Sequence, residues 1–407
     1  MYCTQEIAPK IYWVGGSDRR LELFENMFPL PNGVTYNSYL IMDEKTALID
    51  TVDRSISQLY LENITHILAG RDLDYLVINH MEPDHCANIE EIARRYPNVK
   101  IVGNKKTFQF MEQYYELDMT SNYLEVKEGQ ELALGSSILR FYMAPMVHWP
   151  EVMVTFEVSR GIIFSADAFG SFGAIAGNLF ADELDEIDID EARRYYANIV
   201  GRYGSQVQAL FKKLAAIKIN MICSLHGHIW RGDNVSFIMD LYYKWSRYEP
   251  EKKGVVLVYA SMYGNTENVV NVLANKLAQH GIRDMHMYDV SKTHASFIIS
   301  DLWKYSHIVF ASPTYNMHLY FVMDALLKDI SVLGLRNRKV SVIGNHTWSS
   351  AAMKSIKEQL ELLQNMQLVG EPLDVRSAIK ADREAELDTL ADAIHQSFSE
   401  ENEGMTE

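Results

Sequence analysis

Six residues, His80-Met81-Glu82-Pro83-Asp84-His85, place three kinds of metal-binding side chain directly after a strand-like apolar run, Tyr75-Leu76-Val77-Ile78. A strand fixes the backbone, and the turn after it can aim His80 and Glu82 to one side and Asp84 and His85 to the other, as a two-metal centre requires. Glu82 decides which metals suit. A carboxylate adds a hard oxygen donor and negative charge among imidazoles, which favours iron or manganese where an all-histidine site would favour zinc. The competing reading makes Asp84 the N-cap of a helix starting near Cys86, with His80 and His85 as solvated turn residues. Three later residues extend the metal reading: His148 after the turn Ala144-Pro145-Met146-Val147, Asp167 after Ile162-Ile163-Phe164, and His226 after Met221-Ile222-Cys223. Each lies just past a strand, where a sheet-based site can be built without disturbing the core. A lone His or Asp in such a place is ordinarily a turn or capping residue, so these three draw their weight from the six-residue cluster. His228 suits a supporting contact and a surface role equally well.

A second constellation lies downstream. Ser261-Met262-Tyr263-Gly264-Asn265-Thr266 sits between a strand and a helix, where hydroxyls and backbone N–H groups can surround a phosphate at the positive helix end. Ser312-Pro313-Thr314-Tyr315-Asn316 and Gly344-Asn345-His346-Thr347-Trp348-Ser349 follow the next two strand-like runs, again at carboxyl ends, where an open α/β sheet takes its ligand. Trp348 can stack on a planar ring. The plainer alternatives are a generic polar helix start and a tryptophan that merely packs in the core.

The elements that must hold these residues change pattern along the chain. Upstream, the segments 35–42 and 46–50 read as hairpin strands, followed by helices over 56–68 and 86–95 and strands near 99–102, 138–142, 152–158 and 161–164. Sheets in the middle with helices outside are the natural arrangement. Downstream, strands at 254–259, 307–311 and 340–343 alternate with helices at 265–279, 319–332 and 350–364, and a last helix covers 383–398. That repetition predicts a parallel, doubly wound sheet. The polar stretch Tyr248-Glu249-Pro250-Glu251-Lys252-Lys253 divides the halves, and no internal repeat or low-complexity segment interrupts them.

Composition sets the outer bounds. The length of 407 residues suits about two or three domains, and 48% hydrophobic with 23% charged residues is ordinary for a globular chain. Lys and Arg number 38 against 54 Asp and Glu, a net charge of −16, which argues against nucleic acid or an anionic membrane as partner. Only Cys3, Cys86 and Cys223 occur, with no Cys-x-x-Cys pair, so a disulfide scaffold, an iron–sulfur cluster or a thiolate zinc site is not expected. Reduced cytoplasm is the expected location, since neither a signal peptide nor a spanning apolar run is present.

The pattern His80-x-Glu82-x-Asp84-His85, with His148, Asp167 and Leu225-His226-Gly227, resembles the metallo-β-lactamase-like half of flavodiiron proteins, also called A-type flavoproteins. Their hydrolase relatives usually carry His at the Glu82 position. The segment 261–266 resembles a flavodoxin phosphate loop, and Ser312 to Asn316 with Asn345 to Trp348 resemble the loops that hold the flavin ring of FMN. One departure is that Thr347, Ser349 and Ser350 stand where glycines would flank the tryptophan. The resemblance spans essentially the whole chain. It implies an N-terminal αββα sandwich over 1–250, a flavodoxin-like doubly wound parallel sheet over 254–399, and a disordered tail at 400–407. It further implies that His80, Glu82 and His148 hold one iron, that Asp84, His85 and His226 hold the other, and that Asp167 bridges them. The activity implied is reduction of O2 to water and/or NO to N2O, with electrons relayed through FMN to the two irons. No fused rubredoxin is expected, so electrons would come from an external rubredoxin-like protein or a reduced deazaflavin. The implied assembly is a head-to-tail homodimer or a dimer of dimers, each FMN facing the partner's irons. Two other classes remain open: a zinc-dependent metallohydrolase with a flavodoxin-like accessory domain, and a plain electron carrier whose metal half is structural.

Overall fold

The computed structural model describes residues 2–116 and 120–399, and it divides into two compact units, residues 1–246 and 247–407. The expected tail, 400–407, lies outside the described residues. The first unit ends where the helix Asp233–Ser246 ends, with Tyr242 and Trp245 fully buried beneath it.

Two sheets form the first unit. One runs in the order Gln5–Ala8, Ile11–Trp13, Tyr39–Met42, Thr46–Ile49, Tyr75–Val77, Lys100–Gly103 and Tyr123–Glu125; the other runs from Glu131–Ala133 through Ile138–Met143, Met153–Glu157, Ile162–Phe164 and Met221–Cys223 to Trp230–Arg231. Tyr39, Ile41, Ala47, Ile49, Val77 and Val102 from the first sheet share one apolar core with Phe141, Met153, Phe164 and Cys223 from the second. The sheets therefore pack face to face. All four residues of Thr46–Ile49 are buried, so this strand is covered on its other face too, and helix Ser57–Leu68 turns Tyr60, Ile64 and Leu68 inward. Helices outside two sheets make the αββα sandwich.

One expected strand splits. Val34–Tyr36 pairs with Gly16–Asp18, whereas Tyr39–Met42 joins the large sheet, because buried Asn37 turns the chain between them and donates from Nδ2 to Ser224 O and Gly227 O. The helix expected at 86–95 also begins earlier, as the turn Pro83–Cys86 followed by Ile89–Arg95.

The second unit is a parallel sheet in the order Met285–Asp289, Lys252–Tyr259, Tyr305–Tyr315, Arg338–His346 and Met366–Leu368, with Leu373–Arg376 continuing the last edge beside Arg338–His346. Helices Asn265–Gln279 and Glu384–Ser397 bury Val269, Val270, Leu273, Leu277, Leu387, Leu390 and Ile394 in the core that contains Val255, Leu257 and Ile343. This is the flavodoxin-like order, whose ligand crevice lies beyond the carboxyl ends of the strands.

Buried Arg338 ties this unit together: its guanidinium donates to the backbone carbonyls of Leu302, Trp303, Tyr248, Arg336 and Asn337. Two of these belong to the last turn of helix Ala295–Lys304, whose terminal carbonyls have no partner within the helix. Arg338→Met should leave several buried acceptors unpaired and lower stability by about 3–5 kcal/mol. Urea unfolding followed by circular dichroism measures the shift.

Candidate dinuclear metal centre and flavin cleft

The parallel strands Thr46–Ile49 and Tyr75–Val77, paired Ile49 to Val77, deliver Asp50 and the His80 turn to one edge of the sandwich. Asp50 is fully buried with φ of 53°, and its Oδ1 accepts from the backbone N–H of Asn79 and His80 at 2.7 and 3.2 Å. Its Oδ2 accepts from Asn79 Nδ2 at 2.9 Å, while Asn79 Oδ1 accepts from Thr155 Oγ1 at 2.7 Å. Burial pushes the Asp50 carboxyl up to about 6, against the opposing pull of His85 and these donors. The strands Ile162–Phe164 and Met221–Cys223, also parallel and paired Phe164 to Cys223, bring Asp167 and His226 to the same place. Gly227, at φ of 72°, lets this turn close on Ser171, whose Cβ a side chain at 227 would meet at 2.8 Å.

All seven expected ligand residues converge, in two groups. His80, Glu82, His148 and Asp167 each offer a ligand atom within 4.8 Å of the others, as do Asp84, His85 and His226. Asp167 serves both: Oδ2 lies 3.0 Å from His148 Nε2 and 3.2 Å from His80 Nε2, and Oδ1 lies 3.1 Å from His85 Nε2. Glu82 Oε2 completes the first group at 3.1 and 3.0 Å from His80 and His148; Asp84 Oδ2 completes the second at 3.3 Å from both His85 and His226. The Asp84 reading as a helix cap fails. Glu82 occupies the cap position, and neither Asp84 oxygen has a hydrogen-bond partner.

These contacts fit two cations. Among the described residues Asp84 Oδ1, Asp84 Oδ2 and Asp167 Oδ1 are buried without a well-aligned hydrogen-bond donor, an arrangement that costs several kcal/mol unless a positive charge completes it. His85 Nε2 and His226 Nε2 lie 3.0 Å apart, close enough to share one ion or, without it, one proton. Three carboxylates and four imidazoles make a hard, anionic set that suits iron. Burial alone would raise the Asp167 carboxyl, but the His85 and His80 imidazoles outweigh it and hold it well below the usual range. Burial would likewise lower His85 and His148, yet the surrounding carboxylates bring both to about 9.

Outer contacts orient the rings. His80 Nδ1 lies 2.7 Å from Glu151 Oε1, which also accepts from Met81 N at 2.8 Å; His226 Nδ1 donates to Thr35 O at 2.9 Å. His85 Nδ1 has no partner among the described residues. Phe24, Tyr36 and Tyr195 stand around the His226 ring at 5.2, 5.6 and 5.3 Å, and the Tyr195 hydroxyl is buried without a partner. At the tip of the hairpin formed by Leu23–Phe24 and Phe28–Pro29, exposed Glu25 stands beside Glu82, and crowding against the site together with the Glu82 charge raises its carboxyl. Sequence reading passed over Asp50, Glu151, Tyr195 and Glu25. Only Asp50 carried a usable signal, as an acid at the end of a strand. His228 belongs to neither group.

In the second unit a cavity of about 300 Å3 opens at the carboxyl ends of the strands. It is lined by Ser261, Met262, Tyr263, Asn265, Thr266, Pro313 to Met317, Asn345 to Ser349, and Ser377. Of the expected residues, Gly264 and Ser312 do not line it; Gly264 shapes the turn at φ of 87°, and Ser312 is buried with its hydroxyl donating to Pro313 O. Thr314 Oγ1 accepts from Ala351 N and Ala352 N, and Asn345 Nδ2 donates to Ser377 O, so the loops brace one another. Tyr263 and Trp348 are 91% and 84% exposed, which rules out core packing for Trp348 and leaves two aromatic faces at the rim for a planar ring.

A dinuclear nitrogen and oxygen ligand set in an αββα sandwich, joined to a flavodoxin-like unit with an aromatic-rimmed cleft, defines a metalloflavoprotein of the oxidoreductase class. Residues 34–227 match the ODP family beta lactamase model, and residues 257–396 match Flavodoxin. A nitric oxide reductase from Moorella thermoacetica is 32% identical over 90% of this chain and 91% of its own. The anaerobic nitric oxide reductase flavorubredoxin of Escherichia coli O1:K1 is 30% identical over 87% of this chain and 74% of its own. Among solved structures, rubredoxin oxygen:oxidoreductase from Desulfovibrio gigas superposes with a TM-score of 0.91 at 28% identity, covering 98% of this chain and 100% of that one. The flavodiiron protein from Giardia intestinalis superposes with a TM-score of 0.91 at 25% identity, covering 98% of each chain. The chain belongs to the flavodiiron protein family, whose cofactors are FMN and a diiron centre.

Two outcomes follow from this geometry. Below about pH 9 the metal-free protein carries protons on His85 and His148 that a metal must displace, so metal affinity should rise with pH and binding should release protons. Calorimetric titration in buffers of different ionisation enthalpy counts them. Trp348→Ala should weaken FMN binding by about tenfold, the scale of one lost aromatic contact, while leaving metal content unchanged. Flavin fluorescence titration reads the affinity.

Proposed function

We propose that this chain reduces O2 to water and/or NO to N2O, with electrons passing through FMN to two irons. The observation that carries the reading is Asp167, whose two oxygens address separate ligand groups. In this assignment His80, Glu82 and His148 hold one iron, Asp84, His85 and His226 the other, and Asp167 bridges. The cleft residues expected from the sequence, 261–266, 312–316 and 345–348, hold FMN.

When bound, the flavin delivers electrons singly and the irons supply a multi-electron reductant for a diatomic substrate. The protein does the rest. Asp167 fixes the separation of the two groups, and Asp50, Glu151 and Thr35 hold the turns and rings from behind, so that no ligand must reorganise on substrate binding. Phe24, Tyr36 and Tyr195 keep water from the His226 side, and the Tyr195 hydroxyl is available to donate to a substrate oxygen. O2 consumes four electrons and four protons on its way to two waters; two NO consume two of each to give N2O and water.

A rubredoxin-like donor is the proposed electron source, with a reduced deazaflavin as the alternative; the Desulfovibrio gigas relative is named a rubredoxin oxygen:oxidoreductase. Tyr263, Met317, Phe321 and Trp348, all more than half exposed, form an apolar rim suited to a head-to-tail homodimer. A cytoplasmic location is consistent with three free thiols, and no helix among the described residues is long and apolar enough to cross a membrane. The zinc hydrolase reading would use the same shell, but the relatives above are named as reductases.

Anaerobically purified protein should contain two irons and one FMN per chain and, once reduced, should consume O2, NO or both. Zinc in place of iron after iron-replete expression, with phosphodiesterase or lactonase turnover, would replace this reading by the hydrolase.

A further inference from the structure

The ligand cluster has two approaches of opposite character. On one side the side chains of Asp84 and Glu82 remain 12% and 10% exposed, with the exposed Glu25 beside Glu82, so this approach is lined by carboxyl groups and open to water. The inner part of the other approach is aromatic. Phe172 follows Asp167 on the same loop and is 3% exposed, and its ring meets Phe24 at 5.5 Å and Tyr195 at 5.0 Å, both edge-on. Phe24 and Tyr195 in turn meet the imidazole of His226 at 5.2 and 5.3 Å.

Phe172 also lines a cavity of about 470 Å3, together with Asn32, Gly33, Glu191, His228 and Trp230, and none of the seven ligand residues lines it. The order inward from this cavity is therefore Phe172, then Phe24 and Tyr195, then His226. The ring of Phe172 is held from above by the Arg194 guanidinium at 4.2 Å, and Glu191 fixes that guanidinium with contacts of 3.1 and 2.6 Å. The loop backbone is pinned after Phe172, where Gly173 N–H donates to Gly33 O at 3.2 Å, but the space beside it differs on the two sides of the ring. A side chain at Gly170 would meet Asp167 O at 3.0 Å and Tyr195 Cε1 at 3.3 Å, whereas at Gly173, φ of 104°, it would meet nothing within 4 Å.

Water, protons and ions are favoured along the carboxylate-lined approach. The other approach starts in a cavity that Glu191 and His228 help to line, and only its inner part, past Phe172 to Phe24 and Tyr195, is aromatic and favours a neutral diatomic over charged species. We propose that Phe172 gates a route by which O2 or NO passes from this cavity to the ligand cluster past the edge-to-face pair of Phe24 and Tyr195, whose rings lie 6.2 Å apart and must part to admit it, with Arg194 as its latch. The proposal rests on the gas-reductase reading above. It makes Phe172 a positioning residue that controls access and takes no part in the chemistry.

Phe172→Trp should fill the route, and Phe172→Leu should widen it. In diferrous protein, stopped-flow association of NO should slow by roughly tenfold in the Trp variant and quicken by about threefold in the Leu variant. The KM for O2 should move in the opposite sense to these rates, with kcat at saturation within about twofold of wild type. Xenon-pressurised crystals of metal-free wild type should hold xenon against the Phe172 ring, and crystals of the Trp variant should not. Equal NO association rates in wild type and the Leu variant, or xenon bound identically with Trp in place, would overturn the gate; the Leu variant decides the matter if the larger Trp prevents folding. Wild-type protein that carries iron and FMN yet reduces neither gas would instead overturn the parent reading, and the xenon result would still report on the route.

Discussion

The opposition between one buried carboxylate and the four imidazoles around its site organises the first unit. Asp167 is fully buried, and without cations its charge is balanced only by protons shared among His80, His85 and His148. Such a cluster is costly to bury, and its cost falls on whatever holds the groups together. The sandwich meets it by bringing two pairs of parallel strands to one edge, so that Asp50 with His80 and Asp167 with His226 leave neighbouring strand ends. The strands themselves are rigid because their side chains are shared between two faces. Chemistry is therefore confined to turns, and the core can remain apolar.

The cluster of 80–85 was legible because its ligands are close in sequence and begin where a strand must end. His148, Asp167 and His226 were legible only in company, as residues past apolar runs. Asp50 carried only the weak signal of an acid at a strand end and Glu151 carried none, although each touches the His80 turn directly, since they act across 29 and 71 residues of chain. Tyr195 and Glu25 were invisible for the same reason. In the second unit the helix at 265–279 was read to the residue, because its apolar face repeats every three to four positions. The edge strand Met285–Asp289 escaped notice, being half-buried or exposed along its whole length and so lacking an alternating pattern. The resemblance carried the assignment of iron and FMN, which spacing alone left open to zinc or to another phosphate-bearing ligand.

The two units solve different problems with sheets of different kind. A closed sandwich suits a site that must withhold water from buried charge, and its ligands come from strands on both layers. An open parallel sheet suits a cofactor that must meet external partners, and its cleft is made of loops that brace one another through Thr314, Asn345 and Ser377. That bracing explains why the loop around Trp348 keeps its shape with Thr347 and Ser349 in place of glycines. Ser377 Oγ shares a hydrogen bond with Thr347 Oγ1 at 3.1 Å, and Arg376 donates to Thr347 O at 3.3 Å, so side chains supply the constraint.

The exposed rings of Tyr263 and Trp348 also bear on the life of the chain before it is complete. A newly made second unit presents both as bare apolar surface, together with Phe321 and Met317, and such surface drives unspecific association. Early capture of the flavin would shield part of that surface. The order of maturation therefore matters to that surface, because flavin bound early would leave less of it bare than flavin bound late.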